Sequence, residues 1–108
     1  MTLGEQIKDY IYIEDIVSAY IHFIEKNIEK NCVYNVSTEQ GTSLRDLVKN
    51  ITSILELNDN NIKYGAVPYR KEEPLYIVGS NQKLLSEDWK PKYSIQEGLK
   101  KLIESYNQ

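Results

Sequence analysis

A small mixed α/β (α+β) unit of about three main helices with short strands is the fold this sequence predicts. Apolar residues recur at three-and-four spacing in three separated windows, the spacing of one helix face. The second and third windows each follow a serine with an acidic residue three places on, the pattern of a helix-capping box. Short β-branched or aromatic runs lie between the windows. At 108 residues the chain suits one ordinary domain and is too short for two.

The first window is Ile13, Ile16, Val17, Tyr20, Ile21 and Ile24, with Glu14 and Asp15 at its start. It predicts a helix over 14–27, with Asp15 as a cap, because carboxylates in a first turn accept from free backbone N–H groups and suit the helix dipole. Tyr10–Ile13 is the expected strand leading in, and Val33–Val36 a second strand. Leu44, Leu47, Val48, Ile51, Ile54 and Leu55 make the second helix, opened by Ser43 and Asp46. The cluster Asn58–Asn61 ends it, and Ile62–Val67 reads as a strand running into Pro68. Ser94 and Glu97 open the final helix, whose apolar face is Ile95, Leu99, Leu102, Ile103 and Tyr106. Gly98 inside it costs roughly 1 kcal/mol relative to alanine. Between them, 68–93 is the least regular stretch, with a possible strand at Leu75–Val78 and a short helix ending near Trp89, which reads as core. Binding residues tend to sit on such connections.

Composition narrows the function. Hydrophobic residues at 41% and charged residues at 27% are those of a folded globular chain. A net charge of -3 without a basic block argues against nucleic acid as partner. One cysteine, Cys32, and one histidine, His22, supply neither a disulfide nor the roughly four ligands of a structural zinc. No stretch approaches the roughly 20 apolar residues of a membrane span, and the first residues lack a signal-peptide core. A cytoplasmic protein without membrane attachment is expected.

The inventory for catalysis is thin. His22 falls among core positions of the first helix, a poor place for the base of a nucleophilic triad. Gly4, Gly41, Gly65, Gly79 and Gly98 are too scattered for a phosphate loop or a dinucleotide fingerprint. No catalytic, metal or cofactor residue is therefore assigned. Two cations beside irregular segments stand out, Lys8 and Arg70, the latter with the planar fork that suits phosphate oxygens.

Read as strings, the residues are similar to a known family. Gly4-Glu5-Gln6-Ile7-Lys8-Asp9-Tyr10-Ile11-Tyr12-Ile13-Glu14-Asp15 resembles the G-x-Q-x-R-D-[FY]-[IV]-[YH]-[VI]-x-D pattern of nucleotide-sugar epimerases and dehydratases, the extended short-chain dehydrogenase/reductases. Tyr34-Asn35-Val36 and Ser43-Leu44-Arg45-Asp46-Leu47 follow at family spacing. Pro68-Tyr69-Arg70-Lys71-Glu72-Glu73 resembles the Y-R-x-G-[ED] loop, and Lys83-Leu84-Leu85, Trp89-Lys90-Pro91 and Ser94-Ile95-Gln96-Glu97-Gly98-Leu99 resemble the family's ending.

The resemblance implies that residues 1–108 are the C-terminal, sugar-nucleotide-binding part of such an enzyme. Its Rossmann domain, with the glycine-rich turn and the Tyr/Lys pair, would lie in a missing N-terminal half. NAD or NADP is then the cofactor of the whole enzyme and is not held by this chain. Carried over, Lys8 and Arg70 contact the substrate diphosphate and Glu73 accepts from the nucleotide ribose. Lys8 stands for the family's arginine, without its fork. Glu72 replaces the usual glycine, which predicts a different turn there. Asp9 and Asp15 are expected to be structural. The chain alone is expected to be inactive, and monomeric or weakly self-associating through an apolar patch left toward the missing half. A stand-alone interaction module is the competing class, and a small hydrolase a distant third.

Overall fold

The structure is a computed structural model and describes residues 1–26 and 33–107. Three two-residue strands form a sheet in the order β2-β1-β3: β1 is Ile7–Lys8, β2 Thr42–Ser43 and β3 Tyr76–Ile77. Ile7 pairs with Ser43 antiparallel and with Tyr76 parallel, and Lys8 with Thr42 and Ile77. The chain's first strand therefore precedes the expected Tyr10–Ile13, because the partners that satisfy its backbone lie beside Ile7–Lys8. Tyr76–Ile77 falls inside the strand expected at Leu75–Val78.

Two other expected strands do not form among the described residues. Over 62–67 the backbone turns instead: Ile62 N–H donates to Asp59 C=O, Ala66 N–H to Lys63 C=O, and Gly65 takes φ +80°. At 33–36 the side chains alternate as a strand's would, Tyr34 and Val36 packing on the core while Val33 is 78% exposed. β-Propensity records fit to a pleated surface and makes a ladder only where another strand lies alongside.

The main helices are α1 (Ile13–Glu25), α2 (Leu44–Ile54) and α4 (Ile95–Tyr106), with a short α3 (Gln82–Ser86). The expected last residue of the first helix, Asn27, lies outside the described residues, as does Cys32. Both capping serines act as expected: Ser43 Oγ accepts from Asp46 N–H and Ser94 Oγ from Glu97 N–H, each at 3.1 Å. At α2 the two preceding N–H groups are also satisfied, Leu44 by Gln6 C=O and Arg45 by Gly4 C=O. Gly4 makes that approach possible, since at φ +76° a Cβ there would sit 3.0 Å from Arg45 N. Gly98 is explained the same way: it is buried against Tyr12, where a Cβ would stand 3.0 Å from the tyrosine's own.

α1 differs from expectation in two respects. Its N-cap is Tyr12 without a side-chain bond, and Asp15, in the third helical position, caps nothing. Asp15 is 1% exposed and accepts from Lys92 N–H at 2.8 Å and Tyr93 N–H at 3.1 Å, binding α1 to the segment that leads into α4. The helix also turns its face. Ala19 is buried with Leu84 and Trp89, and Phe23 packs against this cluster, while Val17, Tyr20, Ile21 and Ile24 of the expected core stripe are exposed. Trp89 is core as expected, its Nε1–H donating to Ser18 Oγ at 3.0 Å. His22 lies half-buried with Nε2 against Glu87 C=O. No helix of the described residues is long and apolar enough to cross a membrane.

Asp15→Ala is expected to lower stability by about 3 kcal/mol in urea titration, because it orphans two backbone donors whose bonds to a charged acceptor contribute roughly 1.5–3 kcal/mol each. Asp15→Asn should lose about half as much. A loss below about 1 kcal/mol for Asp15→Ala, the size of an ordinary cap, would contradict this role.

Candidate functional site

Lys8 lies on the central strand of the sheet, and strand alternation separates its side chain from that of Ile7. Ile7 packs where Gly41 leaves room, a Cβ on that glycine falling 2.6 Å from Ile7 Cγ2. Lys8 Nζ donates to Pro74 C=O at 3.3 Å. The strand thus brings its lysine to the segment that carries Arg70 and Glu73.

That segment is held at both ends. Tyr69 Oη accepts from Glu5 N–H at 3.0 Å, and Leu75 C=O accepts from Ile7 N–H at 2.8 Å. Between these ties Arg70–Glu73 is a four-residue turn closed by Glu73 N–H to Arg70 C=O at 3.0 Å. Its third residue, Glu72, stands at φ +67°, the left-handed backbone that a type II turn requires there. Glutamate here adopts the left-handed backbone that glycine enters most freely, at a steric cost of about 1 kcal/mol. Asp88 repeats the case, at φ +67° in the position before Trp89.

Arg70 and Glu73 face each other across this turn, Nε 2.6 Å from Oε2, with the arginine side chain 81% exposed and the glutamate 11%. Solvent reaches the pair from the arginine side and screens it, so it contributes little to stability. It occupies one of the guanidinium's five donors and orients the rest. The structure therefore gathers Lys8, Arg70 and Glu73 around one turn, with an exposed arginine beside a half-buried lysine and a largely covered carboxylate. Three clefts among the described residues are lined by other residues, the roomiest, of about 450 Å³, by Gln40–Thr42, Asp46, Lys49 and Ser94 among others. An apolar one of about 380 Å³ separates α2 from α4, and a polar one of about 330 Å³ is bordered by Tyr10, Thr38, Lys92 and Glu97. Burial raises the Tyr10 hydroxyl above its ordinary value. No group of three or more His, Cys, Asp or Glu among the described residues could hold a metal.

Two supporting residues escaped the sequence. Asp9, expected only to be structural, is the hub beside Lys8: its carboxylate accepts from Thr38 N–H (3.0 Å) and Oγ1–H (2.5 Å), Glu39 N–H (3.0 Å) and Gly79 N–H (3.3 Å). Glu39, at φ +62°, accepts from Ser80 Oγ, Asn81 N–H and Gln82 Nε2. The bonds from Gln82 and Asn81 hold its carboxyl below the usual glutamate value. A Thr-Glu pair gives no motif from which such contacts could be read.

No family model matches the chain. It is similar to the CDP-abequose synthase of Salmonella typhimurium, 31% identical over 105 residues that make up 94% of this chain and 35% of that protein. Among solved structures, the UDP-glucose 4-epimerase of Thermotoga maritima with UDP-glucose superposes at a TM-score of 0.82 with 32% identity, over 96% of this chain and 32% of that one. The Bordetella bronchiseptica enzyme WbmF, in complex with NAD+ and UDP, does so at 0.70 with 28% identity, over 96% and 30%. Sequence and fold together match the C-terminal part of the extended short-chain dehydrogenase/reductases. The chain belongs to that family and spans about a third of the length of the relatives it matches.

Two outcomes are expected from the turn and its neighbour. Glu72→Gly should stabilise the chain by about 1 kcal/mol in urea titration, by relieving left-handed strain; no gain would show the turn to be unstrained. For Glu39, whose folded value is depressed, the stabilisation is present above the ordinary value of 4.5 and lost as pH falls through the folded one. Melting temperatures from pH 6 to pH 3 should therefore fall less steeply for Glu39→Gln than for the parent, and parallel curves would contradict this.

Proposed function

We propose that this chain is the C-terminal, sugar-nucleotide-binding part of an NAD(P)-dependent epimerase, dehydratase or reductase, acting in the cytoplasm on a nucleoside diphosphate sugar. Residues 1–108 hold the nucleotide diphosphate, and a Rossmann half of the same enzyme carries the cofactor and the catalytic residues. The observation that carries this reading is the convergence of Lys8, from the central strand, on the Arg70–Pro74 turn.

The chemistry follows from the donors. The Arg70 guanidinium offers a planar fork to two phosphate oxygens while Glu73 steadies it through Nε, and Lys8 adds a second positive charge. Glu73 also remains the acceptor for a ribose hydroxyl. Held at its diphosphate, the substrate presents its sugar to the partner half, and this remote binding lowers the entropy lost at the reacting carbon. Bound NAD(P) would supply hydride transfer, and nothing in this chain's inventory substitutes for it. A stand-alone interaction module is the second reading. It is favoured by one observation, that Glu73 and the Pro74 carbonyl already occupy the two cations.

The chain joined behind the remaining two thirds of the Salmonella CDP-abequose synthase provides the test. Calorimetry with UDP, CDP and dTDP should show Arg70→Ala weakening binding at least tenfold, about 1.4 kcal/mol, against little change for the neighbouring Lys71→Ala. Lys8→Ala should lose less, and Lys8→Arg should gain. Equal, small effects at Arg70 and Lys71 across the three nucleotides would overturn the assignment. The isolated chain should neither quench NADH fluorescence saturably nor turn over a sugar nucleotide.

A further inference from the structure

Two side chains share the Lys8 face of the sheet with the lysine. Lys8 stands opposite Thr42 in the antiparallel pair and beside Ile77 in the parallel one, and residues paired in this way point to the same side. Ile7, Ser43 and Tyr76, one position away in each strand, point to the other. Ser43 is in any case occupied at its cap, where Oγ accepts from Asp46 N–H. β2 therefore offers the Lys8 face one hydroxyl, that of Thr42.

That hydroxyl is uncommitted. Of the four threonines the other three use theirs: Thr2 Oγ1 donates to Gln6 Oε1, Thr38 Oγ1 to Asp9 Oδ1 and Thr52 Oγ1 to Lys49 C=O. Thr42 is half-buried as they are, yet its Oγ1 has no hydrogen-bond partner among the described residues. A hydroxyl that has lost part of its hydration without gaining a bond is a small cost to the fold, offset when an outside group supplies the partner. The branch at Cβ restricts χ1, so the hydroxyl keeps its direction without an internal bond to fix it.

The surroundings leave room for such a group. Thr42 lies on the shared border of two polar clefts, of about 450 and 330 Å³, the first continuing to Asp46 and Lys49 and the second to Tyr10 and Lys92. Lys8, on the central strand, stands between Thr42 on one side and the segment running into β3 on the other. Neighbouring strands are about 4.8 Å apart, so the threonine is one strand's width from the lysine, on the side away from the Arg70 turn. Pro74 C=O takes one of the three ammonium donors of Lys8 and leaves two.

We infer that Thr42 is a further contact of the bound diphosphate, its hydroxyl donating to a phosphate oxygen on the side of Lys8 away from Arg70. This rests on the reading of Lys8 and Arg70 as the diphosphate site, and adds a donor from a third segment of the chain. A lysine ammonium attracts phosphate as a point charge and fixes no direction. A hydroxyl on a strand adds no charge but donates along a set line, and its bond to a charged oxygen is short and strong. Thr42 thus supplies at the β2 side the orientation that Lys8, without a fork, does not.

Thr42→Val, which keeps the shape and removes the hydroxyl, tests this in the joined protein, with UDP followed by calorimetry and uridine by ligand-detected nuclear magnetic resonance. UDP binding should weaken about tenfold and uridine binding stay within about twofold, while Thr42→Ser should hold UDP within about threefold of the parent. The nucleotide-free melting temperature of Thr42→Val should equal or exceed the parent's, because no internal bond is lost and valine suits a strand. Unchanged UDP affinity in Thr42→Val, with Arg70→Ala still losing its tenfold, would overturn the inference and leave the diphosphate reading standing; no loss at either residue would remove both. An equal loss for uridine would place the hydroxyl on the base or ribose, and a lowered melting temperature would place it in the fold, and either result overturns the diphosphate contact.

Discussion

The Asp9 carboxylate receives four donors from two loops, at Thr38–Glu39 and at Gly79, and the geometry around Lys8 depends on it. Two-residue strands provide too few ladder bonds to fix a sheet alone. The carboxylate adds charge-assisted bonds one residue beyond β1, so the strand cannot slide without breaking them. Lys8 is thereby held at a defined level beside Ile77, within reach of the Pro74 carbonyl. Asp15 repeats the device on α1, where its buried carboxylate collects the two backbone donors that precede α4.

This reliance on polar ties follows from a shortage of buried apolar surface. With a core centred on Ala19, Leu84 and Trp89, the hydrophobic effect alone leaves a chain of this size marginal. Hydrogen bonds to buried or half-buried carboxylates supply direction as well as energy, which suits a unit that must present side chains at a surface. The Arg70–Glu73 turn is likewise pinned, by Tyr69 to Glu5 and by Leu75 to Ile7, and so projects its arginine from a firm base. The left-handed Glu72 indicates that contacts on either side of the turn, more than its local preference, set the backbone there.

Much of this was legible in the sequence. Both Ser-x-x-acid signatures mark real helix starts, because capping is local chemistry between residues three apart. Trp89 as core and a strand at Leu75–Val78 also follow from the residues alone. The failures share one cause. Val33–Val36 and Ile62–Val67 have the composition of strands, but a ladder depends on what lies alongside, which local sequence does not record. The periodicity of α1 correctly announced a helix and misjudged which face this chain buries, since Ala19 and Asp15 carry little weight in an apolar pattern. Of the candidate site, Lys8 and Arg70 are proposed through motif resemblance, whereas Asp9 as hub and Glu39 as loop anchor emerge only when segments 30 to 70 positions apart are brought together.

The central claim is that a strand lysine and a turn arginine together receive a diphosphate. Nuclear magnetic resonance of the 15N-labelled chain in the joined protein tests it most directly, by following backbone amides and the Arg70 Nε–H as UDP is added. The largest shifts should fall on Lys8, on 70–74 and on the Arg70 side chain. Shifts gathered instead around Tyr10, Lys92 and Tyr93, at the polar cleft, with Lys8 and Arg70 unmoved, would contradict it.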